Sequence, residues 1–185
     1  MRRRVKAIFI GSIGNLVEWY DFYAYTAFAL YFAASFFPGT DPVVQQLNAA
    51  VLFAAGFIVR PVGGWLFGYM ADHYGRRRAL MASVLLMCAG SLLIAVTPTY
   101  ASIGIWGAIL LTILRALQGI GVGGEWGGSV LLAMEWSRTH GQRGLVASWP
   151  QFGVPAGLFL ANVAVLVFST WSGDQFMVWG WRIPF

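Results

Sequence analysis

The basic hairpin of this chain, residues 68–78, reads Gly68-Tyr69-Met70-Ala71-Asp72-His73-Tyr74-Gly75-Arg76-Arg77-Arg78. It connects two long apolar runs, so we interpret it as a short polar turn between segments too hydrophobic to be exposed to water. Glycine at position 75 permits a turn with positive φ, and Asp72 can accept hydrogen bonds there. Short loops rich in Lys and Arg stay on the cytoplasmic side of a membrane, so the three arginines predict a cytoplasmic hairpin.

The composition excludes an ordinary soluble domain. Of the 185 residues, 58% are hydrophobic, 16% are aromatic and only 10% are charged, whereas soluble domains have about 25% charged residues. The formal charge of +5 does not indicate nucleic-acid binding, because most of the basic residues lie at the N-terminus and in two loops, where they act as orientation signals. A single cysteine, Cys88, and two well-separated histidines provide neither a disulfide framework nor a metal site.

The apolar runs predict an all-α membrane protein with five complete transmembrane helices and the beginning of a sixth. The expected helices span about residues 7–33, 48–71, 79–96, 104–134 and 145–169, and the sixth starts at about residue 181. Residues 135–144 are expected to form a second basic cytoplasmic loop. The first helix has no convincing cleavage site, so we expect it to be retained rather than removed as a signal peptide.

Three charged residues are predicted near the middle of the bilayer. By helix rise, Glu18, Arg60 and Arg115 lie about 16, 18 and 16 Å into their helices, within a hydrocarbon core about 30 Å thick. A charge at that depth costs roughly 2.5–3.5 kcal/mol, so such residues face a cavity or one another and indicate a functional site. The alternative is a buried ion pair that only holds helices together. If Glu18 or Asp21 is protonated, the two arginines leave positive charge for an anion.

Two acids on the first helix are candidates for carrying a proton. Glu18 and Asp21 are three residues apart, so both project from one helix face, which Tyr25 extends. Two carboxyl groups in a medium of low dielectric constant disfavour double ionisation, and this favours a proton on one of them.

The fourth predicted helix combines polar side chains with regularly spaced glycines. Arg115, Gln118 and Glu125 fall on one face by spacing, and we expect them to line the same cavity. Glycines at four-residue intervals predict close approach of neighbouring helices, and they occur on three of the helices: Gly119, Gly123 and Gly127, Gly124 and Gly128, Gly64 and Gly68, and Gly153 and Gly157.

Several motifs resemble those of the major facilitator superfamily. The basic hairpin is similar to its signature loop, Gly-x-x-x-Asp-Arg-x-Gly-Arg-Arg/Lys, with His73 in place of the first arginine, and Arg115-x-x-Gln118-Gly119 is similar to its second recurring pattern. Four further motifs resemble the metabolite:proton symporter family: residues 14–23 (GNLVEWYDFY), 60–64 (RPVGG), 123–128 (GGEWGG) and 179–185 (WGWRIPF). The resemblance implies the N-terminal six-helix half of a major facilitator superfamily fold, truncated in its sixth helix, with the C-terminal half absent. A half-size partner subunit is the alternative to a truncated protein.

The same resemblance implies proton-coupled symport of a small organic acid, similar to α-ketoglutarate or shikimate, by alternating access of two helical bundles. Four residues are then expected to bind the substrate: Arg60, Arg115, Gln118 and Tyr25. Three acids are expected to couple the proton: Glu18, Asp21 and Glu125. Six residues are expected to form the cytoplasmic gate: Gly68, Asp72, Gly75, Arg76, Arg77 and Glu135.

Other functions remain open at this stage. Members of the family also carry proline, betaine or citrate, and a uniporter, a channel or a non-transporting truncated fragment would share many of these features. An enzyme is not expected, because no nucleophile–base set, metal cluster or phosphate-binding loop occurs. We expect no cofactor apart from protons as coupling ion, and as partners the organic acid, the lipid bilayer and the missing C-terminal half. The expected location is the bacterial inner membrane, with several membrane passes and a cytoplasmic N-terminus.

Overall fold

The protein is an assembly of helices. The computed structural model describes residues 2–39, 41–137 and 148–185, and gives side-chain surroundings for residues 13–39, 41–125, 127–130 and 148–185. Within these ranges no strand occurs, and the seven α-helices are α1 (Arg2–Phe36), α2 (Pro42–Ile58), α3 (Arg60–Tyr74), α4 (Arg76–Val96), α5 (Tyr100–Ile103), α6 (Ile105–Ser137) and α7 (Gly153–Ser172). Three short 3-10 turns accompany them, at Trp149–Phe152, Gly173–Gln175 and Gly180–Arg182.

Helices α2 and α3 together form one candidate membrane-spanning segment, Pro42–Tyr74. The segment begins six residues before the predicted start at residue 48, because the Asp41 side chain accepts a hydrogen bond from the Val43 amide at 2.9 Å and Pro42 occupies the first turn. The helix is interrupted at Val59, two residues before Pro61. A proline has no amide hydrogen to donate, so a break close to it is expected.

Four segments of the described residues are long and apolar enough to cross a membrane: Pro42–Tyr74, Arg76–Val96, Ile105–Val130 and Trp149–Gln175. Helix α1 has 35 residues, and at about 1.5 Å per residue it is longer than a hydrocarbon core is thick. It is absent from that set of four, and it carries three buried polar residues, Asn15, Glu18 and Asp21. Over residues 13–36 of α1, whose side-chain surroundings the structure describes, these three residues have the lowest hydropathy, and the helix directs them into the protein.

Helix α6 lies at the centre of the bundle and packs against α1, α2, α3 and α4. Its glycines make this possible: a Cβ atom at Gly119 would overlap the Gly56 carbonyl oxygen of α2, and one at Gly123 would overlap the Arg60 carbonyl oxygen of α3. The predicted close approach is confirmed at these two positions. At Gly127 no described atom lies within 4 Å of such a Cβ, so the same glycine series does not pack along its full length.

Helices α1 and α7 pack along each other through small residues of α7. A Cβ atom at Gly157 would come within 2.8 Å of the Trp19 backbone, and one at Gly153 would contact Asn15. Beyond this contact, an aromatic cluster fills the other end of α1, where Trp181 is fully buried against Phe32 and Phe36. The expected beginning of a sixth helix near residue 181 takes the form of a three-residue 3-10 turn, Gly180–Arg182.

The remaining predicted boundaries agree closely with the helices. Helix α4 begins at Arg76, three residues before the predicted start, and α6 continues to Ser137, three residues beyond the predicted end. Helix α7 ends at Ser172, close to the predicted end at residue 169. The start predicted for that helix, residues 145–147, and most of the second basic loop lie outside the described residues.

Candidate functional site

The centre of the candidate site is a hydrogen-bonded network that joins three helices. Arg115 on α6 donates to Asp21 on α1 at 2.8 Å and to the side-chain oxygen of Gln118. The Gln118 amide donates to Asp21 at 3.2 Å and to Ser91 on α4 at 2.7 Å, and the Ser91 hydroxyl donates to Asp21 at 2.6 Å. The Asp21 carboxylate therefore accepts hydrogen bonds from three different side chains, which offsets the cost of burying its charge.

An aromatic ring holds the other side of the Arg115 guanidinium. The Arg115 Cζ lies 3.7 Å from the centre of the Tyr25 ring, and the Tyr25 hydroxyl donates to the Ala49 carbonyl of α2 at 3.2 Å. Both residues are almost completely buried. A guanidinium placed between a carboxylate and an aromatic face is fixed in position. The Arg115 guanidinium is therefore bound by side chains of this chain, and the Tyr25 ring holds it in position.

A second charged pair, Arg60 and Glu18, is looser. The distance between Arg60 Nη2 and Glu18 Oε1 is 3.6 Å, and the Arg60 side chain is 31% exposed. The Arg60 Cζ lies 4.2 Å from the centre of the Phe57 ring. The other oxygen of Glu18 is buried and has no hydrogen-bond partner among the described residues. Arg60 thus makes fewer polar contacts than Arg115 and retains hydrogen-bonding capacity, although the Arg115 Nε also has no hydrogen-bond partner among the described residues.

One small cavity borders both charged pairs. Its volume is about 30 Å³, and eleven residues line it: Glu18, Asp21, Phe22, Phe53, Gly56, Phe57, Arg60, Arg115, Gln118, Gly119 and Val122. A space of that size holds a water molecule or two, whereas small-molecule sites occupy roughly 300–1,000 Å³. An organic acid would therefore bind only after side chains separate or where another part of the protein completes the cavity.

Glu125 is not among the residues that line this cavity, which corrects the expectation that it shares one with Arg115 and Gln118. Ten residues of helix place Glu125 about 15 Å along α6 from Arg115 and about 80° around it. Its side chain lies against Gly14 of α1 instead, where a Cβ atom would overlap the Glu125 carboxylate. The prediction treated residues ten apart as lying on one helix face. Over that distance the angular error is large enough for the side chain to meet a different neighbour.

Five of the six expected gate residues lie between the middle of α3 and the first turn of α4, on the hairpin side of Arg60. Gly68, Asp72 and Arg76 line a shared groove with glycines of α6, among them Gly127 and Gly128. The turn that joins α3 to α4 is made by Gly75, whose φ of 94° is disfavoured for other residues.

Two further gate residues are placed less fully. The Arg77 side chain is exposed on the first turn of α4. Glu135 belongs to α6, and its side-chain surroundings lie outside the described residues. Within the described part of the chain, therefore, the structure brings together Gly68, Asp72 and Arg76, but it does not relate them to Glu135.

Sequence reasoning missed some members of the site. Ser91 bonds to both Asp21 and Gln118, and its signal was a polar residue inside an otherwise apolar helix. The phenylalanines Phe53 and Phe57 also escaped notice, although Phe57 lies under the Arg60 guanidinium. In an aromatic-rich membrane protein, composition alone does not distinguish a phenylalanine that contacts a buried cation from one that faces lipid.

Apolar helices arranged around a charged cluster near the middle of the bundle define a multi-pass membrane protein with a polar site inside it. The profile of the family described as "Sugar (and other) transporter" matches residues 7–185. The chain therefore belongs to this family, and its fold is that of the major facilitator superfamily.

Individual relatives agree with this assignment. The α-ketoglutarate permease of Escherichia coli is 46% identical over the entire chain and the shikimate transporter of the same organism is 44% identical over 98% of it, while the chain covers 43% and 42% of those proteins. The proline/betaine transporter of Salmonella typhimurium is 43% identical over 97% of the chain, which covers 36% of that protein. The chain thus spans less than half the length of these relatives, which are transporters and not enzymes.

A solved structure shows the same arrangement of helices. A partially occluded, inward-open conformation of the xylose transporter XylE from E. coli superimposes with a TM-score of 0.84. The match covers 98% of this chain and 45% of XylE, at 21% identity. At that identity the likeness establishes the fold: the predicted half of a major facilitator superfamily bundle is confirmed.

Proposed function

We propose that this chain is part of a proton-coupled symporter that carries a small organic acid across the bacterial inner membrane by alternating access. The relatives that are named for α-ketoglutarate and shikimate, both organic acids, support this substrate class. The N-terminus and the basic hairpin face the cytoplasm in this proposal, because their arginines follow the rule for inner loops.

The observation that carries the proposal is the contrast between the two arginines. Arg60 borders the cavity, its side chain is 31% exposed, and its ion pair with Glu18 is loose at 3.6 Å, so its planar group can receive a carboxylate in two parallel hydrogen bonds. Arg115 is held by Asp21, Gln118 and Tyr25. We therefore assign Arg60 as the first contact of the anion.

Asp21 supplies the coupling step in this proposal. A proton on Asp21 removes its negative charge and weakens its ion pair with Arg115. The guanidinium can then turn toward the cavity, where Gln118 also offers hydrogen bonds, and hold the substrate together with Arg60. Proton binding thereby creates the second half of the anion site, and loss of the proton restores the ion pair and releases the substrate.

The test compares Arg60→Lys with Arg78→Lys in the full-length protein. Uptake of radiolabelled α-ketoglutarate and shikimate is measured in cells with an imposed pH gradient. We expect Arg60→Lys to raise the apparent KM about tenfold or more, because lysine provides a point charge where arginine provides a fork. Arg78→Lys, on the exposed hairpin, should leave KM unchanged. Equal KM values for Arg60→Lys and the unsubstituted protein would overturn the assignment of Arg60.

Coupling is tested separately with Asp21→Asn. This variant should lose accumulation driven by the pH gradient but retain exchange of labelled for unlabelled substrate, since exchange does not require the proton to leave. Normal pH-driven accumulation by Asp21→Asn would remove Asp21 from the mechanism. Substrate uptake without any accompanying proton flux in the unsubstituted protein would identify a uniporter instead.

A betaine-like zwitterion is a second candidate substrate. Three phenylalanines, Phe22, Phe53 and Phe57, line the same cavity as Arg60, and aromatic rings bind quaternary ammonium groups. A carboxylate on Arg60 and an ammonium group on these rings would accommodate such a molecule, and one relative is named as a proline/betaine transporter. Competition of glycine betaine with α-ketoglutarate uptake distinguishes the two candidates.

A further inference from the structure

Glu125 has unusual surroundings for a carboxyl group. It is fully buried in α6, and neither of its side-chain oxygens has a hydrogen-bond partner among the described residues. An isolated ionised carboxylate is very costly to bury, and such a group is normally paired or takes up a proton. Asp21 on α1 is an example of a paired carboxylate, because three side chains donate hydrogen bonds to it.

The charged and titratable groups that face Glu125 offer no compensating positive charge within the described part of the chain. On α1 it lies against Gly14, and the charge one turn further along is Glu18, which acts on it electrostatically. On α4 the neighbours are Val84, which approaches the same position, and the thiol of Cys88, with which Glu125 also interacts electrostatically. On α3, Phe67 packs beside it against Gly124.

Glu18 and the contact point of Glu125 lie on the same face of α1. Gly14 and Glu18 lie four residues apart on the same face of α1, which is about 6 Å along the helix. Both acids are buried, and Glu18 also has an oxygen without a partner, the one that does not contact Arg60. The absence of a side chain at Gly14 leaves the space that the Glu125 carboxyl occupies.

We propose that Glu125 is a neutral carboxylic acid and that it shares one proton with Glu18 across the face of α1 at Gly14. In the transfer, the O–H bond of one carboxyl breaks and that of the other forms through intervening water, which takes up a proton from one carboxyl as it gives one to the other. The carboxyl group that gives up the proton carries the negative charge. When the charge resides on Glu18 it is stabilised by Arg60; when it resides on Glu125 it has no partner among the described residues, so the proton resides mainly on Glu125.

This inference extends the proposed function, because it adds a proton site beyond the substrate cavity. Glu125 lies about 15 Å further along α6 than Arg115, toward the end of the bundle that carries the basic hairpin. A proton held on Glu125 would therefore be separate from the ion pair of Asp21 and Arg115. The neutral state of Glu125, however, can be tested without any substrate.

The first experiment labels the full-length protein in lipid vesicles with dicyclohexylcarbodiimide, which adds to protonated carboxyl groups in apolar surroundings. Peptide mapping by mass spectrometry should find Glu125 modified at neutral pH and the exposed Asp72 unmodified. The pH profile of Glu125 labelling should shift by on the order of one pH unit in Glu18→Gln, as required for two interacting sites. Absence of the adduct at Glu125, or an unchanged profile in Glu18→Gln, overturns the inference.

The second experiment tests the role of this proton in transport. Glu125→Gln mimics the neutral carboxyl, so we expect it to fold and to retain substrate exchange but to lose at least tenfold in pH-driven accumulation. Full accumulation by Glu125→Gln would overturn that role. The two proposals fail in different ways: a Glu125 adduct in a protein that transports no organic acid would contradict the proposed function alone, whereas active symport without the adduct would contradict this inference alone.

Discussion

Arg115 on α6 and Asp21 on α1 form a buried ion pair with a separation of 2.8 Å, and the Tyr25 ring lies 3.7 Å below the guanidinium. This relationship has two consequences. It joins the central helix to α1 beside the cavity, and it engages the more deeply buried of the two arginines. The same contact therefore affects the stability of the bundle and limits the contacts that the Arg115 guanidinium can make with any other group.

The first prediction concerns stability. Arg115→Gln should destabilise the protein by about 3–5 kcal/mol, because Asp21 is left as a buried charge without its cation. The double variant Asp21→Asn with Arg115→Gln should recover most of this loss, since no charge remains to be compensated. Thermal unfolding of the purified full-length proteins in detergent measures both effects. A double variant no more stable than Arg115→Gln would show that the ion pair contributes little.

The second prediction uses two glycines of the same helix. Gly123→Ala should destabilise the bundle by about 1–3 kcal/mol, because the added methyl group would overlap the Arg60 carbonyl oxygen and force α3 and α6 apart. Gly127→Ala is the matched control, since no described atom lies within 4 Å of its Cβ position. It should be neutral or stabilise α6 by about 0.5–1 kcal/mol. Equal effects in thermal unfolding would contradict the packing described here.

The third prediction concerns the groove at the basic hairpin. Asp72 is exposed there and lines the groove with Gly68 and Arg76, far from the charged pairs at the cavity. We expect Asp72→Asn to slow the rate of transport at least tenfold and to leave the dissociation constant of the substrate nearly unchanged. Asp174→Asn, an exposed acid beyond α7, is the control and should affect neither quantity. A normal rate for Asp72→Asn would reduce the hairpin to an orientation signal.

The fourth prediction concerns orientation. Single cysteines at Tyr74 and Asp174, introduced after replacement of Cys88, should react with a membrane-impermeant maleimide from opposite sides of the bilayer. These positions are preferable to the adjacent Gly75 and Gly173, whose φ angles of 94° and 50° disfavour any residue with a side chain. Reaction of both cysteines from the same side would refute the proposed topology.

Much of the fold was predictable from local properties of the chain. The length of the apolar runs, the basic hairpin and the glycine at its turn depend on residues that are close in sequence, and they located the helices to within a few residues in most cases. The early start of α2 was missed although its signal, Asp41 followed by Pro42, was present. The depth of the charged residues in the bilayer, obtained by counting along each helix at constant rise, stays a prediction.

The pairing of the charged residues depended on the tertiary structure. The sequence placed two arginines near Glu18 and Asp21 without deciding which would meet which, because partners depend on how each helix is rotated and on how closely the glycines let it approach. In the structure Arg115 pairs with Asp21, Arg60 lies partly exposed beside Glu18, and Glu125 lies against Gly14. Hydrophobicity and helix period are properties of one segment, whereas a buried hydrogen bond requires two segments at a fixed distance, and that distance is set by packing.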